Sequence, residues 1–185
     1  MLAGKTWIVK SSGTWGNGGH HEPWFAFDHQ TDPDTCYHTI ENAYENGEHK
    51  LDTNIDGKHK GEWVSIQLPE PFVLAGITMC NRNKDMDGRQ VYKTGWVLGS
   101  NDGEKWEELC TANILFGTRG QVQGQEFMGK KYQYGTNSIS VDATTPYTHF
   151  AIVFESASVH YKHHKGAMIA VSQFTLYGDA PEPAK

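Results

Sequence analysis

The chain has 185 residues, with 16 Lys and Arg against 22 Asp and Glu, so its formal net charge is -6. Because an acidic chain without a basic stripe gains no attraction to phosphates, nucleic acid is not an expected partner. No apolar run approaches the roughly 18 residues of a membrane helix, and the first residues lack the apolar segment of a secretory signal peptide, so we expect no membrane insertion and see no signal peptide.

Length and composition together predict a single β-rich domain. The domain covers residues 1–180, and residues 181–185 form a short tail. Aromatic residues make up 12% of the chain and Gly numbers 20, which is typical of short strands joined by long loops. The three cysteines, Cys36, Cys80 and Cys110, are an odd set without Cys-x-x-Cys spacing, so we expect buried thiols and no zinc site.

The first part of the chain predicts one strand and one long loop. Residues 5–10 predict the strand, and the Gly-, Ser- and His-rich residues 11–24 predict the loop. Trp15 and Trp24 lie inside this loop. They either fill the space beneath it or stand exposed as stacking platforms.

The next part predicts a polar excursion followed by two strands. Residues 40–61 predict the excursion, with a short helical turn from Asn42 to Lys50. Residues 62–68 and 72–80 predict the strands, and Pro69-Glu70-Pro71 predicts a turn that ends the first of them. The inward-facing positions in these strands are Val64, Ile66, Leu68, Ile77 and Met79.

Residues 95–109 predict a hairpin. Trp96 and Leu98 alternate with smaller residues, as in a half-buried strand. Asn101-Asp102-Gly103 predicts the turn, because Asn and Asp tolerate left-handed backbone angles and Gly adopts them without steric cost. Residues 110–137 predict either a second long loop or a hairpin between Gln121 and Tyr134.

The last part of the chain predicts three strands, at residues 138–142, 149–154 and 169–177. Phe150, Ile152 and Phe154 share one face of the second strand, and Phe174 and Leu176 share one face of the third. Period-2 strands without a long helix predict an all-β sandwich or barrel.

Four motifs carry a resemblance to a known family. They are Ser-Asn-Asp-Gly-x-x-Trp at 100–106, Trp-Val-Ser-Ile-Gln-Leu-Pro-Glu-Pro-Phe-Val-Leu-Ala-Gly-Ile-Thr at 63–78, the Ala-x-Asp segment at 26–39, and Ile-Ala-Val-Ser-Gln-Phe-Thr-Leu-Tyr-Gly at 169–178. Together they resemble the discoidin family, also called the coagulation factor V/VIII type C or family 32 carbohydrate-binding module family, from about residue 5 to 178. The resemblance implies a discoidin-like β-sandwich of jelly-roll type with long loops at its ends.

The resemblance also implies a sugar site at one end of the sandwich. Arg82 stands where carbohydrate-binding members of the family have an Arg that clamps adjacent hydroxyls. Glu41 and His59 stand near the places of a family acid and a family histidine, each displaced by a residue or more. The loop before the last strand supplies His160 and Tyr161. A sugar ring has an apolar face and a rim of hydroxyls, so it requires an aromatic plane with polar groups around it.

The same resemblance implies a structural calcium ion under the first long loop. The candidate ligands are the side chains of Asp28, Asp32, Thr35 and Gln173, with the carbonyls of Ala26 and Ser172. These are the hard oxygen ligands that Ca²⁺ prefers. Gln173 stands where the family has a charged Glu, which predicts weaker binding. The alternative is a metal-free turn held by hydrogen bonds of its Asp side chains.

Five of the ten histidines lie in two local clusters, at His20-His21-Glu22 and between His160 and His164. Imidazole pairs bind zinc or copper, but neighbouring side chains point in opposite directions along a strand. We therefore interpret these histidines as loop residues without a metal.

These patterns predict a binding protein and no enzyme. The sequence has no Gly-x-Ser-x-Gly, no His-Glu-x-x-His and no phosphate-binding Gly loop. We expect a lectin or adhesion module, extracellular or on a virion surface, with galactose-type glycan as a candidate ligand and homo-oligomers that raise avidity. The alternative is a structural or host-attachment subunit of a larger assembly such as a virion appendage, with residues 40–61 and 110–137 as interfaces. The acidic balance disfavours a lipid-binding module.

Overall fold

The computed structural model describes residues 6–16, 19–30, 35–81, 92–113, 126–127, 130–131, 136–157 and 168–181. In these ranges the chain is mostly β-strand, with a 3₁₀ helix at Pro23–Ala26. The strands are β1 (Ile8–Ser11), β2 (Tyr37–His38), β3 (Tyr44–Glu45), β4 (Glu48–His49), β5 (Glu62–Asn81), β6 (Tyr92–Ser100), β7 (Glu107–Asn113), β8 (Glu126–Phe127), β9 (Lys130–Lys131), β10 (Thr136–Ser140), β11 (Tyr147–Ala157) and β12 (Ala170–Asp179). Within the same ranges, no helix is long and apolar enough to span a membrane.

The strands form two antiparallel layers that share β5. The first layer runs β1–β5–β11–β6–β7, with the β3–β4 hairpin attached to β11. The second layer runs β2–β12–β5–β10. The predicted all-β sandwich is therefore confirmed. A separate small hairpin joins β8 to β9, between residues 121 and 134, as one of the two predictions for that segment stated.

Strand β5 corrects the prediction of a turn at Pro69-Glu70-Pro71. The strand continues through these residues, pairing with β1 and β11 before them and with β10 and β12 after them. The opposing strand β11 is irregular here, since Tyr147 pairs with Phe72 while His149 pairs with Gln67. Proline lacks a backbone N–H. It is therefore tolerated in a strand where no hydrogen bond to the neighbouring strand is needed. The two prolines thus mark the corner at which one strand passes between layers.

The core lies between the two layers and confirms the predicted alternation. Its members include the predicted inward residues of β5 and β11 together with three aromatic residues from other segments: Val64, Ile66, Leu68, Ile77, Met79, Phe150, Ile152, Phe154, Tyr37, Tyr92 and Phe174. Fully burying a large apolar side chain stabilises the fold by about 1.5–3 kcal/mol. A second cluster lies on the other side of the first layer, where Leu98, Ala151 and Val153 pack with Trp96 and Ile55. The polar excursion at 40–61 therefore contributes Ile55 to a covered outer surface.

The predicted helical turn from Asn42 to Lys50 is wrong. This segment forms the β3–β4 hairpin, in which Tyr44 pairs with His49. Asn46 and Gly47 have φ angles of 52° and 87° at its turn. Consecutive left-handed residues match the right-handed twist of the flanking strands, and Asn-Gly is the usual dipeptide for such a turn.

The β6–β7 hairpin confirms the prediction for residues 95–109. Gly103 has a φ of 74°, and its N–H donates to Ser100 Oγ at 2.9 Å. Oδ1 of Asp102 accepts hydrogen bonds from the N–H groups of Glu104 and Lys105 at 2.9 and 2.8 Å. These bonds, first that from Lys105, lower the pKa of Asp102 to about 2.

Glu62 is a buried carboxylate that joins four segments. Its Oε2 accepts hydrogen bonds from Ser12 Oγ at 3.0 Å and from the N–H of Ile40 at 3.4 Å. Its Oε1 accepts one from Thr53 Oγ1 at 2.6 Å and lies 3.3 Å from Nε2 of His49. Glu62 is 0% exposed, so these contacts replace the water that its carboxylate would otherwise bind.

Candidate functional site

Four strand ends meet at one end of the sandwich. Strand β5 ends at Asn81, which pairs with Val171 near the start of β12. Strand β11 ends at Ala157, which pairs with Tyr92 at the start of β6. The strand ends that border residues 82–91 therefore neighbour those that border residues 158–167.

Three of the predicted ligand-binding residues lie in these two segments. Arg82 directly follows Asn81, and His160 and Tyr161 come shortly after Ala157. All three are outside the described residues, so their contacts stay predictions. The fold shows only that the two segments that contain these residues begin and end at neighbouring strand ends.

Glu41 lies at this same end. The segment before it crosses the end of the sandwich, because the N–H of Thr39 donates to Ile169 O at 3.0 Å and the N–H of Ile40 donates to the carboxylate of Glu62. Glu41 is exposed, and its Oε2 accepts a hydrogen bond from Nε1 of Trp15 at 3.0 Å. The fold thus brings the predicted acid beside a tryptophan that is 26 residues away in sequence.

Trp15 is an exposed aromatic residue at this end. It is 37% exposed, and it packs on the rings of His21 and His38, with centroid distances of 4.9 and 5.6 Å. The sequence left open whether Trp15 and Trp24 fill the space beneath the loop or are exposed. Trp24 is exposed as well, since 52% of its surface is accessible. The histidine pair orients the Trp15 indole while Glu41 holds its N–H.

His59, one of the predicted ligand contacts, is buried. It is only 3% exposed, and its Nδ1 lies 2.7 Å from Oδ2 of Asp56. Its ring packs edge-on against Trp96, and its Nε2 lies 3.5 Å from Oε2 of Glu108. Partial burial acts to raise the pKa of Asp56, but the bonds from the N–H and imidazole of His59 and from the N–H of Lys58 lower it. His59 therefore anchors the 50–61 segment on the outer cluster, and its contact with a ligand stays a prediction.

The predicted calcium ligands lie partly within the described residues. Ala26, Ser172 and Gln173 are buried, and Phe27 packs against Phe174 with a centroid distance of 5.7 Å, which joins the first loop to β12. Thr35 is half-buried, and Asp32 is outside the described residues. Asp28 accepts a hydrogen bond from the N–H of Gln30 at 2.8 Å, which is the bond expected of the metal-free alternative.

Two consecutive residues of β12, Ser172 and Gln173, have buried side-chain oxygens. Ser172 is the extra residue of a β-bulge between Val171 and Gln173, and a bulge redirects its side chain. Oγ of Ser172 and Oε1 of Gln173 are buried without a hydrogen-bond partner among the described residues. Nε2 of Gln173 donates to the carbonyl of Phe174, so only its oxygen remains to be satisfied. An unsatisfied buried oxygen costs about 1–3 kcal/mol, and a hard cation would remove that cost.

A groove of about 420 Å³ lies elsewhere, on the outer face of the first layer. Its walls come from β1, β5, β11 and the β6–β7 turn, and they include Lys10, Gln67, Trp106 and His149. Partial burial lowers the pKa of His149, which favours a neutral imidazole there. The size and the mix of aromatic and polar side chains suit one or two sugar rings. The sequence indicated no site at this position.

Comparison with known proteins rests on structure alone, because no family model and no curated protein matches the sequence. A CBM32 module from Clostridium perfringens in complex with GalNAc-β-1,3-galactose has a TM-score of 0.59 at 12% identity, covering 93% of this chain and 95% of its own. A second family 32 module from that organism, in complex with galactose, has a TM-score of 0.55 at 8% identity, covering 92% of each chain. An F5/8 type C domain from Bacteroides fragilis has a TM-score of 0.60 at 13% identity, covering 95% of this chain and 93% of its own.

The chain has the discoidin-like β-sandwich fold. The likeness extends over nearly the whole chain, as the sequence motifs predicted. Two features of this discoidin-like chain were not predicted: the pairing of Trp15 with Glu41, and the groove beside Trp106. Both join residues from distant segments, so no local pattern indicates them.

Proposed function

We propose that the chain is a non-catalytic module that binds glycan at the end of the sandwich marked by Trp15 and Glu41. The observation that carries the proposal is the exposed indole of Trp15, held by the carboxylate of Glu41 at the strand end that precedes Arg82. The matched modules in complex with galactose and with GalNAc-β-1,3-galactose support it.

Each residue has a definite role in this proposal. The indole of Trp15 stacks on the apolar face of a sugar ring. Arg82 and Glu41 bind neighbouring hydroxyls, Arg82 as a donor and Glu41 as an acceptor, and charge-assisted bonds of this kind are stronger than neutral ones. His160 and Tyr161 complete the rim. A galactose-type sugar is the first candidate, because such sugars occupy the matched modules.

We assign the chain no catalytic role. Two of the matched structures are CBM32 modules from a family 31 glycoside hydrolase of Clostridium perfringens. We place the protein outside the cell or at a surface, as a lectin or adhesion module. Because single sugar sites are weak, we expect oligomers to raise its avidity.

Glycan-array binding by the purified protein tests the proposal. We expect binding to one sugar class, weakened at least about tenfold by Trp15→Ala and by Arg82→Ala. Trp15→Ala removes stacking and apolar burial, Arg82→Ala removes charge-assisted hydrogen bonds, and either loss costs about 1.5 kcal/mol or more. Lys10→Ala and Gln67→Ala are the matched controls, since both residues line the groove on the outer face. The controls should bind like the native protein.

Two outcomes would contradict this placement of the site. Loss of binding in the groove variants alone would move the site to the outer face of the first layer. A blank array from folded protein would reject glycan binding and favour the alternative, a structural or host-attachment subunit such as a virion appendage. Circular dichroism of each variant shows whether the protein is folded.

We further propose that a calcium ion pins the first long loop to β12. Asp28, Asp32, Thr35 and Gln173 would hold it through side-chain oxygens, with the carbonyls of Ala26 and Ser172. The unpartnered buried Oε1 of Gln173 supports the proposal. Its role is structural, and the ion would take no part in a reaction.

Thermal unfolding with excess Ca²⁺ and with EDTA tests the calcium proposal. An ion at about 100 times its Kd stabilises the native state by about 2.7 kcal/mol, which corresponds to roughly 5–11 °C in Tm. Gln173→Glu should raise the affinity by adding a charged ligand, and Gln173→Ala should abolish the shift. Equal Tm values in Ca²⁺ and EDTA for the native protein would reject the ion.

A further inference from the structure

Three metal-binding side chains converge beside Trp15. They are His21 from the loop before the 3₁₀ helix, Cys36 just before β2, and His38 within β2. Sγ of Cys36 lies 3.2 Å from Nε2 of His38, and one donor atom from each of the three residues lies within 4.8 Å of the others. In a tetrahedral zinc site, donor atoms at the usual bond lengths are about 3.3–3.7 Å apart. The Cys36–His38 pair therefore has about this spacing, and the donor of His21 lies within 4.8 Å of both.

Backbone hydrogen bonds hold the two segments side by side. The N–H of Cys36 donates to His20 O at 3.3 Å, and the N–H of His38 donates to His21 O at 3.4 Å. Strand β2 is in turn paired with β12 through His38 and Ala170. Because Cys36 and His38 are two residues apart in extended chain, their side chains point to the same side. The site is thus supported by paired backbone on both sides.

One hydrogen bond of His21 is of a kind that metal-binding histidines make. Its Nδ1 donates to the carbonyl of Cys36 at 3.1 Å. Metal-binding histidines characteristically donate their other ring N–H to a backbone carbonyl or carboxylate. The rings of His21 and His38 are stacked with centroids 4.0 Å apart, and the indole of Trp15 covers both. Cys36 is 0% exposed and His38 is 1% exposed, so an ion would be shielded from bulk water.

The donor set selects the metal. A thiolate and two imidazoles suit zinc, whereas calcium and magnesium prefer oxygen ligands. We propose that His21, Cys36 and His38 bind a Zn²⁺ ion, whose fourth position is open to water. This site is separate in chemistry from the oxygen ligands proposed for calcium, and it does not depend on glycan binding. The proposal departs from the expectation of no zinc site, because that expectation considered cysteines and histidines separately.

Metal titration of the chelator-treated full chain tests the proposal. We expect one Zn²⁺ per chain by calorimetry, and Co²⁺ in its place should give a thiolate-to-cobalt charge-transfer band. Cys36→Ser and His21→Ala should weaken Zn²⁺ binding by at least about 100-fold, since even outer-shell partners of a metal site are worth 10–100-fold. Cys36→Ser should also remove the cobalt band.

Matched controls come from the same chain. His20→Ala changes the exposed neighbouring histidine, and Cys110→Ser changes a half-buried thiol on β7, so both should bind Zn²⁺ like the native protein. A native protein that binds no Zn²⁺, or whose Co²⁺ complex lacks the thiolate band, would overturn the proposal. So would unchanged affinity in folded His21→Ala. The native Co²⁺ spectrum keeps the proposal testable even when the Cys36→Ser variant fails to fold.

Discussion

Replacing Glu62 by Ala should destabilise the protein more than any exposed substitution. Its carboxylate accepts hydrogen bonds from Ser12 Oγ, Thr53 Oγ1 and the N–H of Ile40, and it contacts Nε2 of His49. The substitution leaves these groups without their acceptor in a buried site. The segments around Glu62 would then lose their common attachment to β5; they are the chain at residues 12, 40, 49 and 53.

The magnitude follows from burial. Hydrogen bonds to a charged group are worth about 1.5–3 kcal/mol each, but their losses do not add because water enters the space that Ala leaves. Leaving a buried donor without its acceptor costs about 1–3 kcal/mol, and several donors lose their acceptor here. We therefore expect Glu62→Ala to lower the free energy of unfolding by about 4 kcal/mol, which is about 8–16 °C in Tm for a domain of this size. Glu62→Gln keeps the shape of the side chain, but its amide NH₂ would face two groups that themselves donate hydrogen bonds. We therefore expect Glu62→Gln to lower the free energy of unfolding by about 2 kcal/mol.

Urea unfolding followed by circular dichroism and tryptophan fluorescence measures these losses. Coincident transitions by the two probes would support two-state analysis. The matched control is Glu45→Gln at an exposed position of β3, which should change stability by less than about 0.5 kcal/mol. A loss below about 1 kcal/mol in Glu62→Ala would refute the reasoning, because the carboxylate would then not be holding the four segments.

Two further predictions concern the β6–β7 hairpin and its contact with β11. The pKa of Asp102 is lowered to about 2 by the N–H groups of its turn, so its stabilising contribution is present above its unfolded pKa of 3.8 and is lost as the pH falls toward 2. The stability advantage of the native protein over Asp102→Asn in urea unfolding should therefore shrink from about pH 5 to about pH 2, and a difference independent of pH would contradict this. A Cβ at Gly95 would lie 2.0 Å from the carbonyl oxygen of Val153, so Gly95→Ala should cost about 3 kcal/mol or more by separating β6 from β11. Gly57→Ala has open space at a φ of 78° and should cost about 1 kcal/mol, so equal losses would show that contact with β11 is not the cause.

The strands could be predicted because alternation is a local property. Val64, Ile66 and Leu68 face the core as expected, since successive side chains of a strand point to opposite faces. The continuation of β5 through Pro69 and Pro71 could not be predicted in the same way. Whether a proline ends a strand depends on whether its missing N–H was needed, and that depends on the opposing strand.

The predicted site residues also differ in whether local sequence or tertiary contacts determine their position. The family resemblance indicates Arg82 as the residue after a predicted strand, and the end of β5 at Asn81 agrees with that position. The resemblance also indicates His59, but Asp56 and Trp96 bury it. No local pattern distinguishes a buried loop histidine from an exposed one.

The sequence by itself determined the all-β class, the β6–β7 hairpin and the likeness to the discoidin family, because periodicity and turn residues act over a few neighbouring positions. Only the tertiary structure decided which distant side chains meet. It placed Trp15 against Glu41, and it brought His21 to Cys36 and His38. These contacts join segments separated by 15 to 26 residues, and they depend on how β2 pairs with β12. Chemistry at a site requires such convergence, and pairing between strands that are distant in sequence produces it.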